Sequence, residues 1–225
     1  MSEIKALFFD VFGTVVDWRG SVARLGAAMA DEIAAPADLD WTAFADAWRA
    51  EYQPAMAEVR AGRRPFARLD LLHRENLDRI LPRFGLDHVD EAARARMNLF
   101  WHCLDGWPDS VPGLTRLKRR FILATMSNGN TALMVDMAKH AGLPWDCILG
   151  AEPARHYKPD PETYLTGADW LDLPPSACLM VAAHNGDLAA ARAHGLQTAF
   201  IARPREYGPA QSQDLAATEA WTYIA

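Results

Sequence analysis

The chain has 225 residues, half of them apolar and 23% charged, the balance of a soluble globular protein with a sizeable core. A formal charge of −6 argues against a nucleic-acid or membrane-surface binder, which needs a basic face. No apolar run reaches the roughly 18 residues of a membrane-spanning helix.

In chain order, the opening "IKALFFD" predicts a buried strand over residues 4 to 10, ending on Asp10. Residues 18 to about 108 carry only helix-like stretches, with Trp and Leu at three- and four-residue spacing. No strand is expected there. The basic run "RAGRRPFAR", Arg60 to Arg68, falls inside this region and is read as a solvated helix end or loop. "DGWPDSVPGL" then returns the chain to a second region in which short apolar runs alternate with helices. The runs are "RRFILATMSN" (119 to 128), "WDCILGAE" (145 to 152), "ACLMVAAH" (177 to 184) and "QTAFIAR" (197 to 203). Two of the intervening helices stop at "AGL" and "HGL". Strands alternating with single helices predict an α/β fold, a Rossmann-like doubly wound parallel sheet. The helical stretch reads as an all-helical cap inserted after the first strand. The expected division is a core of residues 1–17 plus 109–225 and a cap of residues 18–108.

The opening "MSEIKALFF" lacks a signal-peptide pattern. The three cysteines, Cys103, Cys147 and Cys178, form no CxxC and are odd in number. A cytoplasmic protein is expected.

In an open α/β sheet, ligands bind beyond the carboxyl ends of the strands. Asp10, Ser127-Asn128, Lys158 and Asp187 stand at or just after successive strand ends. Each alone has a plainer reading: a helix cap for Ser127 or Asp187, a solvated loop residue for Lys158. Together they predict one crevice holding two acids, a lysine, a serine and an asparagine.

"FFDVFGTVVD", "TMSNGN", "YKPDPETY" and "MVAAHNGDLAAARAHG" resemble the four motifs of the haloacid dehalogenase superfamily, in order and over nearly the whole chain. Most of that superfamily are phosphatases with the pattern DxDGT, whose second Asp is a general acid. Here that position is Phe12, which cannot transfer a proton. Phosphatases also resemble "VGDSxxD" in the fourth motif, with an Asp that helps hold Mg²⁺. The corresponding residue here is Ala183, which offers no hard oxygen ligand. Both departures point away from phosphoryl transfer and toward the L-2-haloacid dehalogenases (type II), which the chain closely resembles and which use no metal or other cofactor.

That resemblance implies hydrolysis of short-chain (S)-2-haloacids to (R)-2-hydroxy acids and halide. Asp10 would attack C2 in line with the carbon–halogen bond, giving an aspartyl ester that water then hydrolyses at its carbonyl. Thr14, Lys158 and Asp187 would surround the nucleophile. Lys158 would keep Asp10 ionised, and Asp187, with Lys158, would position or activate the water. Ser127 and Asn128, at a strand-to-helix turn, would cradle the substrate carboxylate. Arg49, in "AWRAEY" of the cap, would hold the halide together with Asn128; its plainer reading is a surface arginine on an amphipathic helix. Tyr164 matches an active-site position of the family, and would otherwise be a core aromatic. The best-known dehalogenase pattern resembles "SSNxxD", where this chain has Ala182, Ala183 and His184. His184 would hydrogen-bond the water or narrow the halide pocket. The expected partners are the haloacid and water, with no nucleic acid or membrane, and the resemblance suggests a homodimer through the cap. Two alternatives stay open: a Mg²⁺-dependent small-molecule phosphatase of the same superfamily, and a catalytically silent relative that binds an organic anion.

Overall fold

The computed structural model describes residues 3–225. Strand β1 (Ala6–Phe9) is buried along its whole length. A two-residue strand β2 (Val16–Asp17) leads into five helices, α1 (Trp18–Met29), α2 (Trp41–Ala50), α3 (Tyr52–Arg60), α4 (Leu69–Ile80) and α5 (Glu91–Asn98). A second two-residue strand, β3 (Asp105–Gly106), then brings the chain back. There follow α6 (Ser110–Leu117), β4 (Ile122–Ser127), α7 (Thr131–Ala141), β5 (Cys147–Gly150), α8 (Ala151–Ala154) and α9 (Pro161–Trp170). The chain closes with β6 (Cys178–Ala182), α10 (Asn185–Ala193), β7 (Gln197–Phe200) and β8 (Tyr223–Ile224).

Six strands form one parallel sheet in the order β5-β4-β1-β6-β7-β8. β1 lies between β4 and β6, with Phe9 opposite Thr125 on one side and Val181 on the other. The chain runs outward through β4 and β5, then crosses back to β6 on the far side of β1. The strand order therefore reverses at β1, and the crevice beyond its carboxyl end is the switch point where such sheets bind ligands. The two faces explain the unbroken apolar runs: Leu7 and Phe9 join one core cluster, Ala6 and Phe8 the other. A sheet covered on both faces needs apolar side chains at every position.

The helical insertion is capped where the sequence supplies acids. Asp17 accepts from the Gly20 N–H at the start of α1, Asp40 from Thr42 and Ala43 at α2, and Asp90 from Ala93 at α5. Gly142 ends α7 in the left-handed conformation at φ 69°, which answers the "AGL" stop signal. One expectation is corrected. The region 18–108 does contain a strand, β3, paired antiparallel with β2 through Val16–Gly106 and Asp17–Asp105. Two residues are too short to show a period of two, so nothing in the sequence distinguishes them from a loop. Here they bring the two ends of the insertion together. Among the described residues no helix is long and apolar enough to cross a membrane.

Candidate active site

Asp10 follows β1 directly and is met by three side chains, Thr14, His184 and Lys158. Its Oδ2 accepts from the Thr14 hydroxyl at 2.7 Å and faces His184 Nδ1 at 3.0 Å. Its Oδ1 accepts from Lys158 Nζ at 2.8 Å. Thr14 can face Asp10 because Gly13 turns the chain at φ 85°, a conformation side chains rarely adopt. The Thr14 hydroxyl is itself fixed by the Ala183 N–H at 2.9 Å. Burial would raise the Asp10 carboxyl, but Lys158 and His184 outweigh it and hold the group far below the ordinary carboxylate range.

Lys158 bridges the two acids. Its ammonium is 2.5 Å from Asp187 Oδ2, while the Tyr164 hydroxyl donates to Asp187 Oδ1 at 2.6 Å. The lysine backbone is tied from both sides. Asn128 Oδ1 accepts from its N–H at 2.8 Å, and Arg60 of the cap donates to its carbonyl at 3.1 Å. A cation thus occupies the space between the carboxylates, and Ala183 adds no oxygen ligand. This donor set does not fit a divalent metal.

The other wall belongs to the cap. Arg49, at the end of α2, lies over the ring of Tyr52 at 4.0 Å and also faces Trp18 at 5.4 Å and Phe12 at 5.9 Å. Its Nη1 is buried without a hydrogen-bond partner, and no ion pair includes it among the described residues. Phe12 stands edge-on to Tyr52, His73 and Trp101, so it plugs the core into the aromatic base of the cap. Burial lowers His73 to about 3, leaving a neutral ring stacked on Trp101.

Between the walls is a cavity of about 390 Å³. Asp10, Phe12, Arg49, Asn128, Lys158, Tyr164, His184 and Asp187 line it, all of them expected from the sequence. Thr14 reaches the site through Asp10 rather than through the cavity wall. Ser127 is fully buried, and its hydroxyl oxygen accepts from the Gly129 N–H at 3.1 Å, so it stands behind Asn128 and not on the wall. Tyr52, Gln53 and Tyr207 also line the cavity and were not foreseen. Neither was Glu206, which is 1% exposed and sits 2.9 Å from His184 Nε2. Nothing in the sequence signalled it, and the space that Gly13 leaves for it is visible only in the fold.

Comparison with known proteins agrees with this geometry. The profile of the haloacid dehalogenase-like hydrolases matches residues 4–195. (S)-2-haloacid dehalogenase 4A of Burkholderia cepacia is 29% identical over 233 residues, spanning 100% of this chain and 96% of that protein. The (S)-2-haloacid dehalogenase of Xanthobacter autotrophicus is 30% identical over 205 residues, 89% of this chain and 76% of that one. Among solved structures, an L-2-haloacid dehalogenase superposes with a TM-score of 0.93 at 52% identity, covering 99% of this chain and 95% of the other. A defluorinating L-2-haloacid dehalogenase gives 0.95 at 50% identity, with 99% and 91% covered. A buried carboxylate at the switch point of a Rossmann-like sheet, a helical insertion after the first strand and a profile match over most of the length agree: the chain belongs to the haloacid dehalogenase-like hydrolases.

Proposed function

We propose that this protein hydrolyses short-chain (S)-2-haloacids, such as haloacetate and 2-halopropionate, to (R)-2-hydroxy acids and halide without a metal. The observation that carries the reading is the pairing of an ionised Asp10 with Phe12 two residues on and, across one cavity, a buried Arg49 that no ion pair engages among the described residues. A carboxylate with Phe12 where a phosphatase has its general acid, and Ala183 where it has a metal ligand, suits displacement of a good leaving group from carbon, and suits phosphoryl transfer poorly.

In this reading Asp10 attacks C2 with inversion and expels the halide toward Arg49, whose charge is already desolvated against Tyr52 and Trp18. Oδ2 has two neighbouring donors, Thr14 and His184, whereas Oδ1 has Lys158 alone, which makes Oδ1 the attacking oxygen. Asn128 spends its carboxamide oxygen on Lys158, so its NH₂ group is left to bind the substrate carboxylate or the departing halide. Ser127 serves by fixing the turn that presents Asn128. Asp187 and Tyr164 hold the Lys158 ammonium against Asp10. Phe12 closes the site to bulk water from the cap side.

The deciding assay is halide release from both enantiomers of 2-chloropropionate and from chloroacetate and fluoroacetate, with EDTA present. Release from the L-enantiomer, giving D-lactate, is expected; fluoroacetate belongs in the set because a 50% identical relative is a defluorinating enzyme. Phosphate release that depends on magnesium, with no halide from any substrate, would reverse the reading. The core and cap boundaries at residues 17 and 109, a cytoplasmic location and a homodimer through the cap are part of the same proposal. Half-exposed Leu71 and Leu99 of the cap favour the dimer, and light scattering of the purified protein tests it.

A further inference from the structure

Glu206 is a buried carboxylate with no part in the reaction as described. It lies on the segment after β7, and a carboxylate so enclosed must be matched by donors and charge. Trp18 Nε1 donates to its Oε1 at 3.0 Å, and the His184 ring meets its Oε2 at 2.9 Å. The opposite ring nitrogen of His184 is the one 3.0 Å from Asp10 Oδ2. One imidazole is therefore strung between the nucleophile and a buried acid. The chain gives up a side chain for this arrangement: a Cβ at Gly13 would lie 2.1 Å from Glu206 Oε1.

Each ring nitrogen faces a carboxylate oxygen, so each carries a proton, and the resting His184 is an imidazolium. Burial disfavours that charge, but Asp10 from the end of β1 and Glu206 from the segment after β7 raise its midpoint to about 10. The other charged groups on the cavity wall are Lys158 and Asp187, together with Arg49 from α2 and Asp214 from the C-terminal segment. Asp187 accepts from Lys158 through one oxygen and from Tyr164 through the other, whereas the His184 ring meets Asp10 itself.

Alkylation changes the balance at one ring nitrogen only. Once Asp10 is an ester it carries no charge, and the Nδ1 proton loses its anionic acceptor while Glu206 still holds Nε2–H. That proton passes to solvent, which accounts for the one proton released with the halide in the net reaction. We propose that His184, oriented by Glu206, is the general base that hydrolyses the Asp10 ester, Glu206 being a positioning residue; this rests on the dehalogenase reading above.

The step balances as follows. Neutral Nδ1 takes a proton from water while the water oxygen bonds to Asp10 Cγ, and the carbonyl electron pair moves onto Oδ2 beside the Thr14 hydroxyl. The tetrahedral intermediate then breaks its Cγ–Oδ1 or its Cγ–hydroxyl bond. Only the former releases product by acyl cleavage, but Oδ1 is the oxygen bonded to C2 and leaves as the product alkoxide. The alkoxide takes the proton from Nδ1 and becomes the hydroxyl of the 2-hydroxy acid. The new Asp10 carboxylic acid, one of whose oxygens came from water, returns its proton to Nδ1 and restores the carboxylate and the imidazolium.

The test is a single-turnover comparison of parent, His184→Asn and Glu206→Gln with L-2-chloropropionate, reading halide release and intact protein mass together. His184→Asn is expected to release one halide per chain and stop, with the added propionate unit on the peptide containing Asp10. Glu206→Gln should keep the halide burst within a few-fold of the parent yet slow ester decay by about 10²-fold, the usual range for losing proton-transfer assistance. A merely structural loss would slow both phases together, and the glutamine variant, close in size to the parent residue, decides the matter if His184→Asn does not fold. Steady turnover by both variants near the parental rate overturns the dyad alone. So does a folded pair of variants with no halide burst. No halide from the parent itself overturns the dehalogenase reading and the dyad with it.

Discussion

Replacing Lys158 with methionine removes a charge while keeping most of the side-chain length. The ammonium stands 2.8 Å from Asp10 Oδ1, and at an effective dielectric constant of about 20 that attraction is on the order of 6 kcal/mol. At about 1.4 kcal/mol per pH unit, this corresponds to roughly four units in the midpoint of the carboxyl. His184 remains beside Oδ2 and recovers part of the loss. In the parent, Asp10 is depressed far below the unfolded carboxyl, so its ionisation and its contribution to stability are complete above the unfolded value of 3.8 and drain away only below it. In Lys158→Met the protonated form persists to higher pH, and the nucleophile is lost over that range. A rise of that size from far below the ordinary carboxylate range leaves Asp10 ionised at neutral pH, so the expected change is on the acid side: turnover of Lys158→Met falls as pH drops toward the ordinary carboxyl range, where the parent still keeps its nucleophile charged. The assay is halide release at saturating haloacid across the pH range, with denaturation midpoints measured alongside. A variant whose pH–rate profile superposes on that of the parent would refute the claim that Lys158 sets the charge of Asp10.

Arg49→Lys keeps the charge but cannot stack on Tyr52 as the planar guanidinium does at 4.0 Å, so kcat/KM is expected to drop by about 10-fold or more; an unchanged value would remove Arg49 from the halide wall. Phe12→Asp puts a carboxyl among Tyr52, His73 and Trp101 and should destabilise the fold by about 3 kcal/mol or more. It should bring no magnesium-dependent phosphatase activity, since Ala183 still supplies no ligand, and its appearance would count against that account. His184, raised from 6.5 to about 10, contributes stability that is complete below 6.5 and lost as pH rises toward 10. Thermal denaturation across that interval should show the decline in the parent and a flatter curve in His184→Gln; identical curves would contradict it. Gly13→Ala, with a Cβ 2.1 Å from Glu206 Oε1 and φ at +85°, should cost about 1 kcal/mol or more in chemical denaturation, whereas a neutral effect would show that Glu206 has room to move.

The strands and the convergence of Asp10, Lys158 and Asp187 were legible in the sequence for a simple reason. Both faces of the sheet are covered, so each strand is an unbroken apolar run, and the polar residues that end those runs must gather at one edge. Arg49 was only half legible. Its sequence neighbourhood is that of any amphipathic helix, and its burial depends on Phe12, Trp18 and Tyr52, brought together from three separate elements. Glu206 was not legible at all. It sits in "RPREY", a charged stretch that reads as solvated loop, and only the folded chain places it under Gly13 and against Trp18 and His184. The ribbon of β2 and β3 was missed because two residues have no periodicity to detect.

The two departures from the phosphatase pattern share one physical logic with the residues the sequence hid. A phosphate ester brings negative charge and a poor leaving group, and a site for it needs a metal and an acid. A haloacid needs neither for its first step, so Phe12 can close the cavity with aromatic surface and Ala183 can leave Asp10 to Lys158. The second step still has to move protons, from a water and back to an alkoxide. Phe12 cannot do this, and Asp187 is held by Lys158 and Tyr164. The imidazole of His184 is a remaining titratable group beside the ester, and it loses its anionic acceptor once Asp10 is uncharged. The buried Glu206 behind it is the anion that keeps the ring oriented while its charge changes. Proton transfer in this protein is thus displaced from the second position of the first motif to the fourth motif and the segment after β7.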